Sequence, residues 1–115
     1  MDKVELIIPA NSQYLQLLRL SVSSLANRIG FNIDDIEDLK VIVTELATFI
    51  MPINEKIVLN FELYENQIDV LFKADEINFL EKIDQEGFKL KRQILMTLTD
   101  NIESTNNCIR ISKKK

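Results

Sequence analysis

NIDDIEDLKVIVTELATFIM, residues Asn32–Met51, is the stretch that decides how the rest of the chain is read. Ile36, Leu39, Val43, Leu46 and Ile50 recur at alternating spacings of three and four, the period of an α-helix with one continuous apolar face. Asn32 suits the N-cap, because its side-chain oxygen can accept from an amide that the first turn leaves unpaired. Asp34, Asp35, Glu37 and Asp38 put negative charge where the helix dipole favours it. Pro52 lacks an amide hydrogen and restricts the residue before it, so the helix ends there. Glu45 lies one turn from both Val41 and Phe49 and beside Ile42. A carboxylate in that setting stands either at a solvated rim of the core, the commoner arrangement, or in a pocket of the kind that tunes acids for chemistry.

Working outward, Lys3–Ile8 (KVELII) has the β-branched and apolar content of a strand, closed by Pro9. Asn11–Ile29 reads as a helix with a stripe of Leu15, Leu18, Val22, Leu25 and Ile29, capped by Asn11 or Ser12 and stopped by Gly30 as its C′ residue. Tyr14, Leu17 and Leu20 widen that stripe, which implies burial on two sides or an interface; burial is the expectation. Arg19 and Arg28 on the same helix read, from spacing alone, as solvated charges. Beyond the central helix, Lys56–Leu63 and Gln67–Phe72 alternate around a turn at Tyr64-Glu65-Asn66 and form a hairpin. Lys73–Glu86 reads as a charged loop with room for one short helical turn, Phe88–Leu98 as a third helix, and Cys108–Ser112 as a closing strand. The order β-α-α-β-β-α-β predicts an α/β (α+β) two-layer sandwich, a mostly antiparallel sheet with helices on one face.

Composition narrows the chemistry. The 115 residues suit a single domain, 1–115, with one core. A net charge of −4 argues against general nucleic-acid binding, and Lys113-Lys114-Lys115 reads as a solvated basic end. There is no histidine and one cysteine, Cys108. That excludes zinc sites, disulfides and His-assisted nucleophiles; no metal is expected, and a reducing compartment, the cytoplasm, is the expected location. No apolar run approaches the ~18 residues that a membrane span needs.

Several motifs occur together in one order. Pro9-Ala10-Asn11 follows the first strand, LLRLSVSSLANRIGF occupies 17–31, and IEDLKVIVTELAT occupies 36–48. With the element order, and with TLTDNI at 97–102 as a weaker match, this resembles the bacterial anti-sigma-factor serine kinases, the RsbW/SpoIIAB-like branch of the GHKL (Bergerat-fold, histidine-kinase-ATPase-like) superfamily. The resemblance implies that Glu45 occupies the catalytic-base position and that Phe49, four residues on, replaces an asparagine that holds magnesium. It aligns Asp75 in KADEINF with the adenine-reading aspartate, but Ile77 stands at that motif's glycine. In EGFKLKRQIL (86–95) only Gly87 remains of a glycine-rich phosphate loop, with Lys89 and Lys91 where glycines are expected and the lid truncated. A phenyl ring has no oxygen for a cation, and side chains block the close backbone approach that phosphates need. Lys89, Lys91 and Arg92 could hold an anion only by charge.

The family uses ATP and magnesium; these substitutions imply that no cofactor is bound here and that kinase activity is lost, the alternative being an active ATP-dependent serine/threonine-protein kinase with an atypical site. What the resemblance leaves is binding. It implies a sigma factor, an STAS-domain anti-sigma antagonist or a paralogous kinase as partner, a homodimer as the form, and Arg19 as the partner-contacting arginine.

Overall fold

The protein is described from a computed structural model covering residues 1–105 and 107–115. Five strands, β1 (Asp2–Pro9), β2 (Lys56–Leu63), β3 (Gln67–Lys73), β4 (Asn101–Ser104) and β5 (Cys108–Lys114), form one antiparallel sheet in the order β1-β2-β3-β5-β4. Four helices, α1 (Leu15–Arg28), α2 (Ile33–Ile50), α3 (Phe79–Lys82) and α4 (Lys89–Leu98), complete the α+β architecture. The expected hairpin of β2 and β3 forms with Phe61 opposite Val70 and Leu59 opposite Phe72.

The central helix has the start that Asn32 dictates: its Oδ1 accepts from the Asp35 amide at 2.8 Å. A short 3-10 turn, Met51–Ile53, carries Pro52 and ends it. All five stripe residues of α2 are buried, and Ile42, Ala47 and Phe49 extend the buried surface round the helix. Helix α1 ends at a Schellman turn, with Gly30 N donating to Asn27 O and Phe31 N to Ala26 O, both at 3.1 Å. Gly30 takes φ +88° there, a left-handed geometry that glycine adopts without the steric cost a Cβ would add. Inward-facing Ile57, Leu59, Phe61, Ile68, Val70, Phe72, Ile109 and Ile111 meet Leu18, Val22, Leu39, Val43, Leu46 and Ile50 in one continuous core.

The outward face of the sheet carries a polar network beside Ile7, Val58 and Leu71. Arg110 bridges Asp69 and Glu62, the latter at 2.7 Å, and Gln67 Nε2 donates to Asp69 Oδ1 at 2.7 Å. Burial works against the Arg110 charge, but its hydrogen bonds and proximity to Asp69 and Glu62 raise its pKa above the ordinary guanidinium value. Partial burial and the neighbouring Glu62 carboxylate likewise raise Tyr64 above the usual 10.

As expected, the loop 73–86 holds a one-turn helix, α3, and a 3-10 turn at Glu86–Phe88 precedes α4. Three expectations need correction. Residues 101–104 form the edge strand β4, paired to β5 through Ile102–Ile111, so the sheet has one strand more than the sequence suggests. Leu17 (45%), Leu20 (58%) and Tyr14 (38%) are exposed, because the sheet and α2 cover only one side of α1. Lys113 is not part of a solvated tail: it lies in β5, donating to Leu98 O at 2.8 Å and approaching Asp38 at 3.4 Å.

Candidate functional site

Helix α2 carries both readings of this protein, one on each flank. Toward α4, Glu45 projects from the helix half-buried, and its Oε2 receives Lys91 Nζ at 2.6 Å. The same ammonium donates to the Glu45 backbone carbonyl at 3.0 Å and lies 3.3 Å from Thr48 Oγ1. With side-chain exposures of 30% for Glu45 and 17% for Lys91, this is a partly desolvated ion pair between elements 46 residues apart. The solvated-rim alternative for Glu45 is therefore the nearer one, with a cation seated on its oxygen.

One turn on, Phe49 is buried between Phe79 and Phe88. Both neighbours meet it edge-on, with ring centroids 5.3 Å apart and interplanar angles of 63° and 64°. Each such contact adds about 0.5–1.5 kcal/mol beyond the area it buries. Ile77 and Ile83 are buried beside them, joined to the same core. Asn54 anchors the segment: its Nδ2 donates to Ile50 O and Glu76 O at 2.9 and 2.7 Å, and its Oδ1 accepts from Glu76 N at 3.0 Å. The end of α2 is thereby tied to the chain that delivers Ile77 and Phe79.

Asp75 and Gly87, also singled out by resemblance, are not among the residues lining the groove that holds Glu45. Asp75 is exposed and lines a cleft of about 280 Å3 at the end of the sheet with Lys56, Lys73 and Cys108. Gly87 lies in the 3-10 turn, where a Cβ would meet nothing within 4 Å, so no close backbone approach requires a glycine there. The lysines and arginine of that segment do not form a free anion patch. Lys89 pairs with Glu86 at 3.2 Å, Lys91 with Glu45, and Arg92 with Asp84 at 3.1 Å.

Toward α1 the flank is open. Arg19, half-buried rather than fully solvated, donates from Nε to Thr44 Oγ1 at 2.9 Å. Arg19 and Glu45, singled out for different roles, line one groove of about 260 Å3 between the helices. Thr44 and the cation on Glu45 were not legible in advance, since Thr44 lies 25 residues from Arg19 and Lys91 46 residues from Glu45 along the chain. Among the described residues no cluster of three or more acidic or cysteine side chains is placed to hold a metal ion, and no helix is long and apolar enough to cross a membrane.

A five-stranded antiparallel sheet with two long helices in sequence packed on it is the α+β fold to be set against known proteins. Over 99% of its length the chain superposes with a TM-score of 0.76 at 10% identity on 32% of the crystallised RsbU and RsbW domains of Rv1364c from Mycobacterium tuberculosis, a likeness of fold. Among curated proteins it is 36% identical over 83 residues to the serine-protein kinase RsbW of Bacillus thuringiensis (strain Al Hakam), covering 68% of this chain and 52% of that protein. The match to RsbW of Bacillus cereus (strain Q1) is 35% over the same span and the same shares. The chain thus belongs to the RsbW-like family of anti-sigma-factor serine kinases. It spans about half the length of the curated relatives it matches. No protein-family profile matches it.

Proposed function

We propose that this chain is an anti-sigma-factor-like regulator that works by binding protein partners, without phosphoryl transfer. The observation that carries this reading is the Glu45–Lys91 pair: the family's base position has an ammonium 2.6 Å from its carboxylate oxygen. Phosphoryl transfer depends almost wholly on a metal and on positioning. The residues here do not fit magnesium ATP. Phe49 offers no oxygen donor and is enclosed by two rings, Gly87 forms no cradle, and Asp75 lines a different cavity from Glu45. Asp75 and Gly87 stand in this reading as vestiges, and Glu45 as an inherited carboxylate.

The partner classes are those the resemblance implies, a sigma factor, an STAS-domain antagonist or a paralogous kinase, with Arg19 at the contact. A homodimer is part of the proposal, supported by the long edge strand β1, whose Val4 and Leu6 line one groove with the exposed Leu20 of α1. Sedimentation equilibrium at tens of micromolar is its measurement, and a monomer at that concentration removes it.

Thermal unfolding with and without magnesium ATP or ADP tests the central claim. A ligand at 100 times its dissociation constant adds about 2.7 kcal/mol. At about 4 °C per kcal/mol for a domain of this size, the midpoint would rise by about 10 °C. The proposal expects no shift at millimolar nucleotide; a clear shift returns Glu45 to the role of base and overturns it.

A further inference from the structure

The strand order leaves β1 and β4 at the two edges of the sheet. At β4 the direction of the backbone groups follows from one hydrogen bond: Thr105 N donates to Cys108 O at 2.8 Å. Hydrogen-bonded pairs alternate along an antiparallel ladder, so Glu103, opposite Arg110, turns its amide and carbonyl toward β5. Ile102 and Ser104 turn theirs the other way, to the open edge. Two residues spaced by two, each with an outward donor and acceptor, form the backbone half of a strand-binding site. Each face of this edge also borders a cleft. On the core side, Ile102 and Ser104 share about 130 Å3 with Phe79, Ile83 and Met96. On the other side, Glu103 shares about 380 Å3 with Leu71, Cys108 and Arg110.

Glu103 is exposed, and among the described residues it has no cation. Arg110, directly across the ladder, is taken by Glu62 and Asp69, and Glu103 Oε1 receives only Asn101 Nδ2 at 3.2 Å. An antiparallel strand bonded to Ile102 and Ser104 would set one residue opposite Glu103 in a non-hydrogen-bonded pair, the closer kind, with Cα atoms about 4.5 Å apart. Opposite charge at that position stabilises the pairing and like charge opposes it. The neighbours of that residue would face the core-side cleft, whose lining by Phe79, Ile83, Met96 and Ile102 suits an aliphatic side chain. A second copy of β4 is a poor occupant, because the register that uses both Ile102 and Ser104 sets the two copies' Glu103 side chains against each other.

We propose that β4 is a docking edge for an extended segment of another protein with the pattern aliphatic–basic–aliphatic. The basic side chain pairs with Glu103, and an aliphatic neighbour enters the cleft beside Ile102. Four residues offer few backbone bonds, so side-chain fit decides what pairs there. None of the residues lining the two clefts lines the α1–α2 groove, and the inference stands apart from the reading of that groove.

The test is a titration of the 15N-labelled protein with the peptide acetyl-Thr-Val-Arg-Val-Thr-amide, and separately with acetyl-Thr-Val-Glu-Val-Thr-amide, at matched ionic strength. The expected result is saturable shifts and slowed hydrogen exchange at the amides of Ile102 and Ser104, with the β1 amides unmoved. The glutamate peptide should bind about two- to tenfold more weakly, the scale of a cross-strand charge pair. Glu103→Lys, at an exposed position, should reverse the order of the two peptides. Ser104→Pro removes an outward N–H without touching the ladder to β5, and should abolish the response to both. If that variant does not fold, the charge swap decides alone. Equal affinity for the two peptides, an order unchanged by Glu103→Lys, shifts at β1 instead, or no saturable shift would each overturn the proposal. Protection of Ile102 and Ser104 that grows with protein concentration in the absence of peptide would also overturn it, in favour of a second copy at this edge.

Discussion

The two flanks of α2 solve the same problem, a helix side not covered by the sheet, in opposite ways. On the α1 flank the groove stays open: Arg19 is held by a hydroxyl, Val41 is exposed, and Leu17 and Leu20 lie uncovered on the helix beyond. On the α4 flank the space is closed by rings at Phe49, Phe79 and Phe88 and locked by Lys91. The difference teaches that identity along a helix does not mean identity of use. The resemblance, strongest over Val4–Ala47, takes in the α1 flank, which is the flank left open. The α4 flank is filled by core.

A flank filled by rings should behave energetically as core, and that gives the largest effect. Phe49→Ala removes a buried ring with two edge-on partners, and the expected loss is about 3–5 kcal/mol in urea unfolding. A loss below about 1 kcal/mol would mean that the ring cluster contributes no more than an ordinary surface contact, and the contrast between the flanks would collapse.

Lys91→Met probes the lock with an isosteric apolar chain. It leaves a partly buried Glu45 without its cation, at an expected cost of about 1.5–3 kcal/mol, with hydrogen exchange accelerated in α4 rather than in α1. Uniform acceleration across both helices would show that the pair is no lock on the α4 flank in particular.

The smallest effect on stability belongs to the open flank. Leu20→Glu, at a residue 58% exposed, should change unfolding by no more than about 0.5 kcal/mol while dissociating the proposed dimer in sedimentation. A dimer indifferent to that charge would place self-association elsewhere.

What the sequence disclosed follows from the range over which each signal acts. The α2 stripe, its Asn32 cap, the Gly30 stop and the β2–β3 hairpin are encoded within a few residues of one another, and each formed as read. Strand β4 was missed because four residues with one apolar side chain, Ile102, carry almost no period, and its pairing with β5 supplies what its composition lacks. Lys91 was read as a loose anion-holding charge because nothing in local spacing ties it to Glu45. The Phe79 ring lies in a stretch without periodicity and Phe88 starts the third helix, so their convergence on Phe49 depends on the tertiary fold alone. Exposure of Leu17 and Leu20 was misjudged for the related reason that a stripe shows which residues are apolar, not how many neighbours are there to cover them.

The strand order has a consequence for how the polypeptide is made. Strand β5, Cys108–Lys114, is not at an edge; it lies between β3 and β4, and every β3 residue from Gln67 to Lys73 has a partner on it. A ribosome working from the N-terminus releases β1, β2, β3 and both long helices well before that partner exists. Until residue 114 has emerged, the nascent chain presents β3 as an open strand next to an uncovered apolar face, so exposure to chaperones and to wrong pairings lasts until β5 has been made.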